Sequence, residues 1–176
     1  LYYFHHGWFG DRDEYLDDAV EVMYRLKEEG KIRLVGQSAY SHKDFVKLIP
    51  KVKPDVLQSF ANPVERDFID DGNPTRKLME ENQISFVAFR PLYEGLLLDK
   101  YKKENPPQFE NGDHRKGLPR FSYESLAKLE VQLKKIKERF GSSTEDLARV
   151  AQQYLLHYKF VGSVIPGFRN LKQVQV

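Results

Sequence analysis

The sequence predicts an α/β fold built on a parallel sheet with crossover helices, and three observations carry that expectation. Segments with apolar residues at helical spacing alternate with short apolar and β-branched runs along the chain, a pattern of successive βα units rather than of two separate domains. A helix with apolar positions at Leu16, Val20, Met23 and Leu26 ends at Gly30 and the run 32–36 follows at once, which makes a βαβ junction. The segment 84–89 is continuously apolar, as a strand buried on both faces requires.

The remaining elements follow in order. Leu1 to His5 begin the chain inside a strand. After the junction, Ser41 is an N-cap with Asp44 three residues on, opening a short helix through Phe45, Leu48 and Ile49 that Pro50 and Pro54 limit. A strand is expected over 55–60. Pro74 suits the first turn of a helix running to Asn82, ahead of the strand 84–89. From 92 to 121 apolar anchors are few and Pro106, Pro107, Gly112, Gly117 and Pro119 accumulate, so a long, mobile, flap-like loop is expected over 93–121. Two helices follow. The first carries Leu126, Leu129, Leu133 and Ile136 and stops at Gly141; the second starts at Ser143 and buries Leu147, Val150, Ala151, Tyr154 and Leu155.

Composition narrows the function classes. With 40% hydrophobic and 31% charged residues, the 176-residue chain has apolar material for a packed core. A net charge of +2, with no basic face interleaved with aromatics, argues against a nucleic-acid partner. No run reaches the 18 or so apolar residues of a membrane span. The absence of cysteine excludes disulfides and thiolate metal sites and fits a cytoplasmic protein. His42, His114 and His157 lie in unrelated elements without ligand spacing, so no metal is expected.

The stretch Gly30-Lys31-Ile32-Arg33-Leu34-Val35-Gly36-Gln37-Ser38 is the most specific motif, because it sets a serine hydroxyl and free backbone groups at a strand's carboxyl end, where α/β barrels do their chemistry. It resembles the strand-five motif of the aldo/keto reductases, usually Gly-Lys-Ile-Arg-x-x-Gly-x-Ser-Asn, with Ala39 in place of the asparagine. Further landmarks of that family recur in order. Leu1-Tyr2-Tyr3-Phe4-His5 resembles the fourth barrel strand, ending on the active-site histidine. Gln58 falls where the sixth strand's glutamine holds the nicotinamide carboxamide. Phe89-Arg90-Pro91-Leu92-Tyr93-Glu94-Gly95-Leu96-Leu97, with Lys100-Tyr101 after it, resembles the seventh-strand signature, and Val164-Ile165-Pro166-Gly167-Phe168-Arg169-Asn170 the eighth strand with its phosphate-binding turn.

The resemblance implies a (β/α)8 barrel. Such a barrel takes about 250 residues, so the chain is expected to cover five strands, the fourth to the eighth, as the C-terminal portion of a single barrel domain with both ends cut. It further implies an NADPH-dependent enzyme that reduces a small aldehyde or ketone to an alcohol by hydride transfer. His5 would orient and polarise the carbonyl. Ser38 and Gln58 would grip the carboxamide and Phe89 would stack on the nicotinamide. Arg90, Pro91, Leu92, Gly95, Leu97 and Lys100 would line the path of the pyrophosphate. The backbone of the turn at Gly167 would hold an anion at a helix start, and Arg169 with Gln173 would form the pocket for the adenosine 2′-phosphate, which favours NADP over NAD. The family's acid tyrosine, its lysine and its aspartate precede the matched region, so residues 1–176 alone are expected to be inactive.

Residues taken singly have plainer readings. A strand-end histidine is commonly structural, Ser38 and Gln58 can satisfy backbone groups, Phe89 can be core, and Arg169 can be a solvated charge. His5 and His6 are adjacent, so on a regular strand their side chains point to opposite faces and only one serves a site. The alternative functions are a non-catalytic NADP-binding regulatory barrel, as in the potassium-channel β-subunit relatives, and an inactive half-barrel.

Overall fold

The computed structural model describes residues 1–175. Its elements in chain order are β1 (Tyr2–Phe4), α1 (Leu16–Glu28), β2 (Val35–Ser38), α2 (His42–Val52), β3 (Val56–Phe60), α3 (Pro74–Glu81), β4 (Ser85–Phe89), α4 (Tyr123–Phe140), α5 (Thr144–Leu156), β5 (Val161–Ile165) and α6 (Leu171–Val174). The five strands form one sheet in sequence order, every neighbouring pair parallel. The expected α/β class with parallel strands is what the chain adopts.

Local chemistry explains most boundaries. Ser41 caps α2 by accepting the Asp44 N–H, Asn73 caps α3 by accepting the Arg76 N–H, and Ser122 caps α4 by accepting the Ser125 N–H. Pro74 occupies the first turn of α3, where its missing N–H costs nothing. Several boundaries differ from the sequence reading, among them the end of the second strand, which lies at Ser38 rather than at 36. The second strand starts at Val35, not at position 32, because the N–H groups of Lys31 and Ile32 both go back to the Leu26 carbonyl and are spent closing α1. Helix α2 runs through Pro50 to Val52. Pro50 removes only the bond to Val46, while buried Ile49 and Val52 and the Lys53 N–H to the Ile49 carbonyl at 2.9 Å hold the last turn in place.

The chain divides into two compact units, Leu1–Pro91 with Tyr154–Pro166, and Leu92–Gln153 with the residues from Gly167 on. The first unit holds the sheet. Register partners share a face, so Leu57, Phe86 and Val161 lie together, and they pack with Phe45, Ile49 and Met79 of the overlying helices. A second cluster joins Val35 to Leu16, Met23, Leu48 and Val52 beside β1. The opposite face of the sheet carries the row Ser38, Gln58, Val87 and Ser163, one residue from each of four strands. Of these only Ser38 is buried.

The second unit has its own core of Leu96, Leu97, Phe121, Leu126, Leu129, Leu133 and Ala151. The flap expected to be mobile is tied down within it. Tyr101, Phe109 and Phe121 meet edge to face, with ring centroids 4.8 to 6.4 Å apart. Arg115 lies over the Phe109 ring while paired with Asp113, and Lys103 pairs with Glu130 of α4 at 2.7 Å. Three aromatic anchors at irregular spacing, Phe121 buried and Tyr101 and Phe109 half-buried, leave no periodic trace in the sequence.

Candidate active site

The sheet topology brings the first group of expected residues to neighbouring positions. Ser38 is the last residue of β2 and pairs in register with Gln58 of β3. His5 directly follows Phe4, whose register partner Gln37 directly precedes Ser38, so His5 and Ser38 stand at adjoining strand ends. Gln58 sits in the middle of β3 rather than at its end, because that strand runs on to Phe60. One layer further toward the carboxyl ends, Phe60, Phe89 and Ile165 are register partners on the same face.

The two histidines depart from the sequence reading. Strand β1 ends at Phe4, so the two-residue alternation no longer applies, and the rings of His5 and His6 meet edge to face with centroids 4.4 Å apart. Both are exposed. The site therefore has an imidazole pair, not a single imidazole with its neighbour turned away.

Buried polar side chains stitch the strand ends laterally. Gln37, fully buried, donates from Nε2 to the His6 carbonyl at 2.9 Å and to the Ser38 carbonyl at 2.7 Å. The Ser38 hydroxyl donates to the Gln58 carbonyl at 3.1 Å, and the Ser59 hydroxyl to the Ala39 carbonyl at 2.7 Å. Asn62, also fully buried, accepts the N–H groups of Val64 and Glu65 and donates to Glu65 Oε2. Sequence reasoning missed Gln37, Asn62 and Glu65. For Gln37 the signal was a long polar side chain at the parity of apolar Val35, which places it on the helix-covered side, where an amide needs partners.

The donor set fits the amide end of a dinucleotide. The Gln58 carboxamide is half-buried on the face away from the helices and bonds to no other described residue, so its donor and acceptor are both open to an amide. Phe89 is half-buried, held edge-on by Tyr40 at 5.7 Å and Phe60 at 6.4 Å between ring centroids. Arg90, with φ of 60° just past β4, directs Nη2 and Nε to Glu65 at 2.7 and 3.1 Å and lies over the Phe60 ring. The fork expected to meet phosphate thus already faces a carboxylate. Pro91 is buried.

In the second unit, Leu97 is 3% exposed within the core, so only its backbone is left for a ligand, and Leu92 packs on the same cluster. Gly95 has φ of +89°, a conformation that suits glycine, and Lys100 is exposed with its ammonium over the Tyr101 ring. Gly167, Arg169 and Gln173 are exposed; Gln173 Oε1 accepts the Arg169 N–H at 2.7 Å, and Asn170 accepts the Gln173 N–H. Gln173 therefore fixes the turn that presents Arg169. Among the described residues no group of three or more His, Cys, Asp or Glu could hold a metal, and no helix is long and apolar enough to cross a membrane.

The sequence model of the Aldo/keto reductase family matches residues 1–176. The chain belongs to the aldo/keto reductase family. Aldo-keto reductase str7 of Strobilurus tenacellus is 29% identical over 163 residues, which are 91% of this chain and 47% of that protein. The uncharacterized oxidoreductase YqkF of Bacillus subtilis is 26% identical, covering 99% and 52% of the two chains. Aldo-keto reductase yakc of Schizosaccharomyces pombe, named for NADP(+), is 25% identical over 98% of this chain and 50% of its own length. The chain spans about half the length of these curated relatives. Among solved structures, the glycerol dehydrogenase AKR11B4 from Gluconobacter oxydans superposes with a TM-score of 0.71 at 23% identity, covering 92% of this chain and 47% of its own. The holo form of aldo-keto reductase AKR11C1 from Bacillus halodurans gives 0.64 at 23% identity, covering 99% and 50%. These likenesses establish the fold.

Proposed function

We propose that the full-length aldo/keto reductase reduces a small aldehyde or ketone with NADPH, and that these five strands are the fourth to eighth of its (β/α)8 barrel. The observation that carries this reading is the register pair Ser38 and Gln58 beside His5, with the Gln58 carboxamide open on the face away from the helices. A bound NADPH would supply the hydride. Gln58 and Ser38 would hold its carboxamide, Gln58 by its free amide and Ser38 by the lone pairs left after its hydroxyl donates to the Gln58 carbonyl. Phe89 would restrain the ring face. His5 would donate from its imidazole to the substrate oxygen and polarise the carbonyl. Arg169 would meet the 2′-phosphate, and Lys100 with the backbone of Leu92, Gly95 and Gly167 would meet the remaining phosphate charge. Arg90, held by Glu65 at the end of β4, would also meet that charge.

One observation favours a second reading, a barrel that binds NADP but does little chemistry. Ala39, where the family has asparagine, is 1% exposed in the core and offers no amide.

The test is NADPH oxidation by the full-length protein against a panel of aldehydes and ketones. Turnover that falls roughly 100-fold in His5→Ala with cofactor affinity kept supports the enzyme. Tight NADPH binding with no turnover on any carbonyl selects the regulatory reading, and no binding of either dinucleotide removes both.

A further inference from the structure

His5 sits beyond the end of its strand, so no sheet hydrogen bond holds it, and what does hold it is visible in the next two residues. The His6 carbonyl accepts from Gln37 Nε2 at 2.9 Å and the Gly7 carbonyl accepts from Lys47 Nζ at 3.2 Å. Gly7 is pressed against Asp44 of α2, where a Cβ would lie 2.8 Å from the aspartate side chain. The His6 ring in turn lies edge to face with that of His5. Of the two donors, Lys47 is also engaged with Asp13 at 2.9 Å and is half-exposed, so solvent and salt weaken its grip. Gln37 is fully buried, and its same nitrogen reaches the Ser38 carbonyl at 2.7 Å.

We infer that Gln37 is a positioning residue: its amide clamps the His6 carbonyl to the Ser38 carbonyl and so sets the distance between the His5 imidazole and the end of β2. Two features mark the clamp as selected for geometry rather than for stability. Both donor protons go to carbonyls at the site, one from each side, so the amide orientation is determined. Its own oxygen is left buried with no hydrogen-bond partner, a cost that a side chain present only to fill space would not carry. Ser38 has independent support from strand pairing and its hydroxyl bond to Gln58, whereas the turn at His5 and His6 lies outside the sheet. Loss of the clamp should therefore move the imidazoles far more than Ser38.

This inference rests on the reductase reading for its kinetic arm alone. In the full-length protein, Gln37→Met keeps the shape and removes both donors, and Gln37→Glu sets a carboxylate against two carbonyl oxygens. Expected is a kcat about five- to tenfold lower in Gln37→Met, and lower still in Gln37→Glu, with the NADPH dissociation constant within about twofold of wild type. The second arm needs no activity: the His5 and His6 ring resonances shift and broaden in Gln37→Met while those of His157 do not. Should the variants fail to fold, the unmutated protein decides, because a clamping Gln37 has side-chain amide protons that exchange slowly and couple to the His6 carbonyl carbon. Fast exchange of those protons, unmoved His5 and His6 resonances, or a melting point that drops with kcat unchanged would each overturn the inference. A wild type that turns over no carbonyl would defeat the reductase reading and leave the resonance measurements to decide on Gln37.

Discussion

The ring of Tyr3 in β1 lies directly against the Cα of Gly36 in β2, its register partner, and occupies the space a side chain there would need. Gly36 is thus required by close approach, since its φ is not in the left-handed region. Gly36→Ala should push the ring aside and cost about 1–3 kcal/mol, read as a lower denaturant midpoint with an unchanged slope. Pairing it with Tyr3→Ala should recover part of that loss, because the smaller residue vacates the space.

Tyr3 brings a second consequence. Its hydroxyl is buried without a hydrogen-bond partner, and burial pushes its pKa up to about 12. A phenol whose pKa is higher folded than unfolded contributes stability that is intact below about pH 10, its ordinary value, and is lost as pH rises through about 12. Tyr3→Phe deletes the unsatisfied atom and should stabilise the chain by up to about 1 kcal/mol at neutral pH. It should also flatten the fall in stability between those two pH values, measured by denaturant melts across the alkaline range.

Asp55 ties α1 to the start of β2, accepting Lys27 Nζ at 2.7 Å and the Val35 N–H at 2.8 Å. Partial burial pushes its carboxyl up, but the Lys27 ammonium and the Val35 N–H together pull it below its ordinary value. A depressed carboxyl contributes stability present above its unfolded pKa, near 4, and lost as pH falls through the lower folded value. Asp55→Asn should cost about 1–2 kcal/mol at neutral pH and remove part of the acid-side slope. A variant that loses stability equally at pH 7 and in acid would mean that Asp55 acts only by shape.

How much of this was legible in the sequence depended on periodicity and spacing. Strand order, the caps at Ser41 and Ser143 and the approach of Ser38 to Gln58 follow from alternation, N-cap chemistry and the βα repeat. The pairing of the His5 and His6 rings did not, because it depends on β1 stopping at Phe4, which the run Leu1–His5 does not mark. Arg90 looked like a phosphate ligand from its neighbours in the chain, and only the three-dimensional structure shows Glu65 facing it. The packed segment around Tyr101, Phe109 and Phe121 was hidden for a related reason: turn-forming residues dominate its composition, while three rings account for its anchoring.

The proposed preference for NADPH is testable at Arg169. It is exposed on a turn fixed by the Gln173 side chain, and no carboxylate pairs with it among the described residues. A guanidinium presented in this way suits a phosphate bearing two negative charges far better than a ribose hydroxyl. If it meets the adenosine 2′-phosphate, Arg169→Ala in the full-length protein removes a charge-assisted interaction of about 1.5–3 kcal/mol. At about 1.4 kcal/mol per decade, NADPH affinity should then fall roughly 10- to 150-fold while NADH binding barely changes. Titrating both dinucleotides against wild type and variant separates recognition of the 2′-phosphate from general attraction to an anion. Equal weakening of both would assign Arg169 to the pyrophosphate or to the fold, and no weakening of either would leave it a solvated charge.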